Sequence, residues 1–197
     1  MISEEELCGI IDTLGALKPD EIQKIADEIA SVREYSGESF DIESMCQIAK
    51  DRHLVETIFP FEIKDEHENL DSSDVPQTYY INGPCSFPVV PPELSEVIDI
   101  LEIERREIDM HKISIRYLDE LNKKVFFLDK KADSMNNTNY EKKDVIDLEN
   151  EYSELLNMYY DFESWLIEDI ENVQEVESIE TLLMNISTKL ESLKESI

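Results

Sequence analysis

Apolar residues recur at helical spacing along most of the chain. Leu7, Ile10, Ile11 and Leu14 share one face of a first helix, which Ser3 can cap with Glu6 completing a capping box, and which Gly15 stops. Pro19 opens a second helix, and Asp20 and Glu21 suit the positive end of its dipole. Ile22, Ile25, Ala26, Ile29 and Val32 form its buried stripe, and Gly37 breaks it. Asp41 caps a third helix carrying Ile42, Met45, Cys46, Ile48 and Ala49. Each is too short to stand alone, so residues 1–61 are expected to pack as one three-helix unit.

The pattern then changes. Residues 62–77 are acidic and polar and read as a loop. Residues 79–92 hold four of the seven prolines, which forbid a helix or a central strand there. Tyr79 to Ile81 fits a short strand, with Asn82-Gly83 as a turn. Helical periodicity returns at Glu93, with Leu94, Val97, Ile98 and Leu101 on one face. A long helix over roughly 105–133 carries Ile113, Tyr117, Leu121, Val125 and Leu128. After the polar turn at Ser134–Asn139, a helix over about 141–168 carries Val145, Leu148, Tyr152, Leu155, Tyr159, Phe162 and Leu166 in coiled-coil-like steps. A last helix over about 177–195 carries Ile179, Leu183, Ile186, Leu190 and Leu193. The expected fold is mainly α: an N-terminal three-helix unit (1–61), a short Pro-rich extended connector with minor β (62–92), and a C-terminal long-helix hairpin or bundle (93–197).

Charge changes the picture most. The chain has 47 acidic and 18 basic residues, a net charge of −29, far beyond the magnitude of about 2–8 usual for a small domain. Two explanations follow: adaptation to molar salt, which screens such a surface, or a working surface for a basic partner, including mimicry of nucleic acid. The acid is spread along most of the chain, which favours salt adaptation, whereas the abundance of Lys over Arg and of Ile does not. Residues 105–143 alone carry a net positive charge, +3, and the simplest reading is that they pair with their acidic neighbours.

Candidate chemistry is sparse. Three widely spaced cysteines, Cys8, Cys46 and Cys85, imply no disulfide framework. They form no metal-binding spacing with His53, His67 or His111, and neither a metal nor a cofactor is expected. Cys85 has no basic residue within 65–104, so it reads as a buried structural cysteine. Four scattered glycines cannot build a phosphate loop. The three N-terminal helices resemble a helix-turn-helix arrangement, but residues 1–61 carry −9, the wrong sign for phosphate. The N-terminus lacks a basic and apolar leader, and no run approaches the roughly 18 apolar residues of a membrane span; a cytoplasmic protein is expected.

Three stretches carry a resemblance. They are Glu6-Leu7-Cys8-Gly9-Ile10-Ile11-Asp12-Thr13-Leu14-Gly15-Ala16-Leu17 followed by Asp20-Glu21, then Gly83-Pro84-Cys85-Ser86-Phe87-Pro88, and Tyr160-Asp161-Phe162-Glu163-Ser164-Trp165. With them the chain resembles a family of small acidic haloarchaeal proteins of unknown function. The resemblance implies a high-salt cytoplasm and supplies no activity. The function expected is therefore that of a non-enzymatic interaction or adaptor protein. Its contact residues are expected to be Tyr79, Tyr80, Phe87, Tyr160 and Trp165, and its heptads offer a route to self-association. A transcriptional regulator and an acidic nucleic-acid mimic are the alternatives.

Overall fold

The computed structural model describes residues 2–34, 41–64, 78–135, 140–166 and 173–195. Over these residues the chain is mainly helical, with seven α-helices and one two-stranded antiparallel sheet. It divides into two compact units, Met1–Asp109 and Met110–Ile197.

The first unit holds α1 (Glu4–Leu14), α2 (Pro19–Val32), α3 (Ile42–Asp51), β1 (Val55–Ile58), β2 (Tyr79–Asn82) and α4 (Leu94–Leu101). The caps act as the residue types dictate. Ser3 Oγ accepts the Glu6 amide at 3.2 Å while the Glu6 carboxylate accepts the Ser3 amide at 2.9 Å. Gly15 ends α1 with φ 84°, Pro19 opens α2, and Asp41 accepts the Ser44 amide at 3.1 Å. Gly37, His67 with residues 65–77 of the acidic loop, and residues 136–139 of the polar turn lie outside the described residues. Leu7, Ile10, Ile11, Leu14, Ile22, Ile25 and Ile29 build the core with Ile42, Cys46 and Ala49 of α3.

β1 departs from the sequence expectation, which gave residues 1–61 three helices and no strand. Val55-Glu56-Thr57-Ile58 pairs with β2 in the register Val55↔Asn82 to Ile58↔Tyr79. Four residues are too few to display a period, and the partner lies more than twenty residues ahead. β2 is covered on its other edge as well, since Leu17 and Tyr80 exchange both backbone hydrogen bonds at 3.1 and 2.8 Å. Leu94 and Val97 enter the core of the first unit, so the segment from 93, expected to open the C-terminal bundle, belongs to the first unit. The long helix likewise begins at Met110, later than expected. The Arg106 amide donates to Leu14 O at 2.9 Å and the Asp109 amide to Glu62 O at 2.8 Å, so these residues are stapled to the first unit as extended chain.

The second unit is α5 (Met110–Met135), α6 (Lys142–Trp165) and α7 (Val173–Glu195). Tyr117 stacks on Phe162 and Lys131 pairs with Glu151, which sets α5 and α6 antiparallel. Tyr159 bonds Glu180 and Lys194 pairs with Glu149, which does the same for α6 and α7. The three predicted stripes meet in one three-helix core: Ile113, Leu121, Val125, Leu148, Phe162, Ile179, Ile186 and Leu193 are buried. Among the described residues the heptad positions are thus consumed inside the second unit.

Candidate interaction surfaces

The Pro-rich segment is clamped along its length. The Gly83 amide donates to Leu54 O at 2.9 Å, the Cys85 amide to His53 O at 3.0 Å, and the Val89 amide to Glu5 O at 2.9 Å. Gly9 lets the segment lie against α1, because a Cβ there would stand 2.2 Å from Val89 O. Pro91 and Leu94 are buried and anchor its far end. Between these clamps Phe87, Pro88, Val89 and Val90 all face solvent, Phe87 with 74% exposure. Four consecutive exposed apolar residues on a fixed backbone form a patch of the kind that marks binding surfaces.

The expected contact residues do not converge. Tyr79 is fully buried, with Lys18 Nζ 5.3 Å and Arg106 Cζ 5.2 Å from its ring centroid, and so belongs to the core, not to a contact surface. Tyr80 is half-buried in the sheet, and that burial pushes its hydroxyl pKa up. Phe87 is exposed as a contact residue must be. In the second unit Tyr160 is exposed, whereas Trp165 is half-buried with its ring edge-on to Tyr117 at 6.1 Å. Sequence reasoning overlooked Val89 and Val90 beside Phe87, and Phe126 and Phe127 on the solvent side of α5. Their signal was present, as large apolar residues off every buried stripe.

Cys85 corrects another expectation: it is exposed, whereas Cys8 and Cys46 are buried. Burial pushes Cys8 up and Cys46 up to about 12, which keeps both as thiols at neutral pH. The outward positions of α3 include Glu43, Gln47 and Asp51, so this helix presents carboxylates where a recognition helix would need cations. A cleft of about 550 Å³ between α2 and residues 101–107 is lined by charges of both signs, among them Glu21, Lys24, Glu104, Arg105 and Arg106. Arg106 is already committed there to the Glu21 carboxylate at 2.7 Å and to Ala16 O at 3.0 Å. Among the described residues no group of three or more His, Cys, Asp or Glu side chains is placed to hold a metal ion, and no helix is long and apolar enough to cross a membrane.

Arg33 sets the frame of the Pro-rich segment. Its guanidinium reaches Glu6 on α1 at 2.6 Å and Glu93, just past Pro92, at 2.9 Å. Hydrogen bonds from Arg33 hold both carboxyls below their usual range, and those same bonds raise Arg33 further. Lowered carboxylate pKa values contribute stability that is present at neutral pH and lost as pH falls through the lowered values. Arg33→Met is therefore expected to lower Tm by several degrees at pH 7. The gap to the unsubstituted chain closes as both are titrated to about pH 3, well into the carboxylate range. Thermal melts across that pH range check it; a pH-independent gap would show that Arg33 acts by packing alone.

The chain belongs to the Family of unknown function (DUF7109), which matches residues 5–181. No curated protein and no solved structure matches it.

Proposed function

We propose that this chain is a non-enzymatic interaction or adaptor protein of a high-salt, haloarchaeal-type cytoplasm, binding a protein partner through the Phe87–Val90 segment. The observation that carries the reading is the segment itself. Its backbone is bonded at Gly83, Cys85 and Val89, yet the side chains of Phe87, Val89 and Val90 remain in solvent at 74, 53 and 54% exposure. A fold that spends backbone hydrogen bonds and a helix glycine on presenting apolar side chains to water has a use for them outside itself. The net charge of −29 supports the high-salt setting, because a molar salt solution screens self-repulsion to within about 3 Å. The regulator reading draws no support from α3, whose outward face repels phosphate.

The test is affinity capture from a cell extract of a related organism in molar KCl, using the full chain and its Phe87→Asp/Val90→Asp variant. A stoichiometric protein is expected on the unsubstituted chain and absent from the variant, with circular dichroism unchanged. Equal recovery on both, or none on either, would remove this segment as the docking surface.

A further inference from the structure

The buried stripe of α5 runs through Ile113, Tyr117, Leu121, Val125, Leu128 and Ala132. Phe126 and Phe127 lie off it, 49 and 71% exposed, with ring centroids 6.2 Å apart. Lysines occupy all four positions one turn away from Phe127, namely Lys123, Lys124, Lys130 and Lys131. On a helix, residues three and four apart are neighbours, so these ammonium groups ring the exposed aromatic pair. Lys130 Nζ stands 5.4 Å from the Phe126 ring centroid.

Internal pairing accounts for one of the four. Lys131 pairs with Glu151, whereas Lys124 Nζ meets Met158 Sδ at 3.4 Å. Among the described residues, Lys123, Lys124 and Lys130 have no carboxylate within 4.0 Å, and Lys130 acts only at longer range on Asp133, whose carboxyl Lys189 already holds. The chain has 47 acidic side chains for 18 basic ones, so a run of cations without a direct ion pair is not what internal packing would produce.

We infer that the Lys123–Lys131 face of α5 is a second docking site, which takes a short acidic peptide segment of a partner protein carrying an aromatic or branched apolar anchor. This deepens the interaction-protein reading and rests on it. Charge complementarity sets the sign of the partner, and Phe127 with Phe126 supplies the apolar contact. Size selects among anions. From Lys123 to Lys131 the face is about 12 Å long, and one turn before it the same helix exposes Asp119 and Glu120. A nucleic-acid strand or an anionic membrane would extend beyond the lysines onto those carboxylates, whereas a peptide of a few residues stays within them. A second copy fits less well. Two such faces meeting about a two-fold axis would set lysine against lysine, and this face against an acidic surface elsewhere on another copy makes an open chain, not a closed dimer.

The experiment selects displayed random 12-residue peptides on the full chain at 0.15 M and 2 M KCl, then measures the selected peptides by fluorescence anisotropy. The expected result is enrichment of Asp and Glu around one or two Phe, Leu or Ile anchors. Affinity should fall at least ten-fold in Lys123→Glu/Lys130→Glu and in Phe127→Ala, with circular dichroism unchanged. Selection without acidic enrichment, or affinity indifferent to these substitutions, overturns the site. So does tighter lysine-dependent binding of a dT15 oligonucleotide or of vesicles with anionic headgroups, or a light-scattering mass that grows with concentration and collapses in Lys123→Glu/Lys130→Glu. Phe87→Asp/Val90→Asp is run alongside. If capture of a partner depends on Phe87 and Val90 while the α5 variants change nothing, this inference fails and the proposed function stands; if neither pair matters, both fail.

Discussion

Gly15→Ala is expected to destabilise the first unit by about 2–5 kcal/mol, the sum of left-handed backbone strain and overpacking. Gly15 has φ 84°, a region that a residue with Cβ enters at a cost, and the added methyl would stand 2.0 Å from Arg106 O. That oxygen cannot retreat easily. The Arg106 amide is bonded to Leu14 O, and its guanidinium is held by Glu21 and Ala16 O, so the whole segment is fixed where the methyl must go. Gly9→Ala is the sharper companion, because its sign is at stake. Glycine inside an open helix is worse than alanine by about 1 kcal/mol, so the substitution ought to stabilise α1. Here the methyl would meet Val89 O at 2.2 Å, and a loss of about 1–3 kcal/mol is expected instead. Urea melts of the two variants measure both. A rise in stability for Gly9→Ala would mean that the Pro-rich segment does not lie on α1, and Phe87 to Val90 would then not be held on a fixed backbone.

These glycines show where sequence reading stopped. Gly15 was legible as a helix stop, because a stop is a local property of φ. That Gly9 is a contact between α1 and a segment eighty residues later was not legible, since nothing in Leu7-Cys8-Gly9-Ile10 announces its neighbour. The same division runs through the fold. The helices of the second unit follow from their stripes, and those stripes pack together as period and loop length predict. β1 did not follow, because its four residues are made a strand by pairing with Tyr79–Asn82. The aromatic residues divided likewise. Composition drew attention to Tyr79, yet its pairing with Ile58 in the sheet and the cations above its ring make it core. Phe127, inside a helix and therefore unremarked, is among the most exposed large apolar side chains.

Raising KCl from about 0.1 M to about 3 M is expected to raise Tm by about 10 °C or more, an effect of a few kcal/mol for a chain of this length. Opposing terms decide the sign. Salt weakens the specific pairs, including Arg33 with Glu6 and Glu93, Arg106 with Glu21, and Lys189 with Asp129 and Asp133. Such pairs are bounded by the 18 cations of the chain, so against 47 acids an excess of 29 negative charges is left uncompensated. Their mutual repulsion is what salt removes, and it outweighs the pairs that salt loosens. Protonation offers an independent check on that balance. At low salt, moving from pH 7 to about pH 5 sheds negative charge without reaching the lowered range of Glu6, Glu93 and Asp133, and should stabilise as salt does. Further acidification discharges those carboxylates and reverses the gain. Melts over the two-dimensional grid of KCl and pH measure both arms. If Tm instead falls as KCl rises, the arranged pairs dominate, the acid cannot be ascribed to life in salt, and the carboxylates around the Phe87–Val90 segment become part of the surface a basic partner would read.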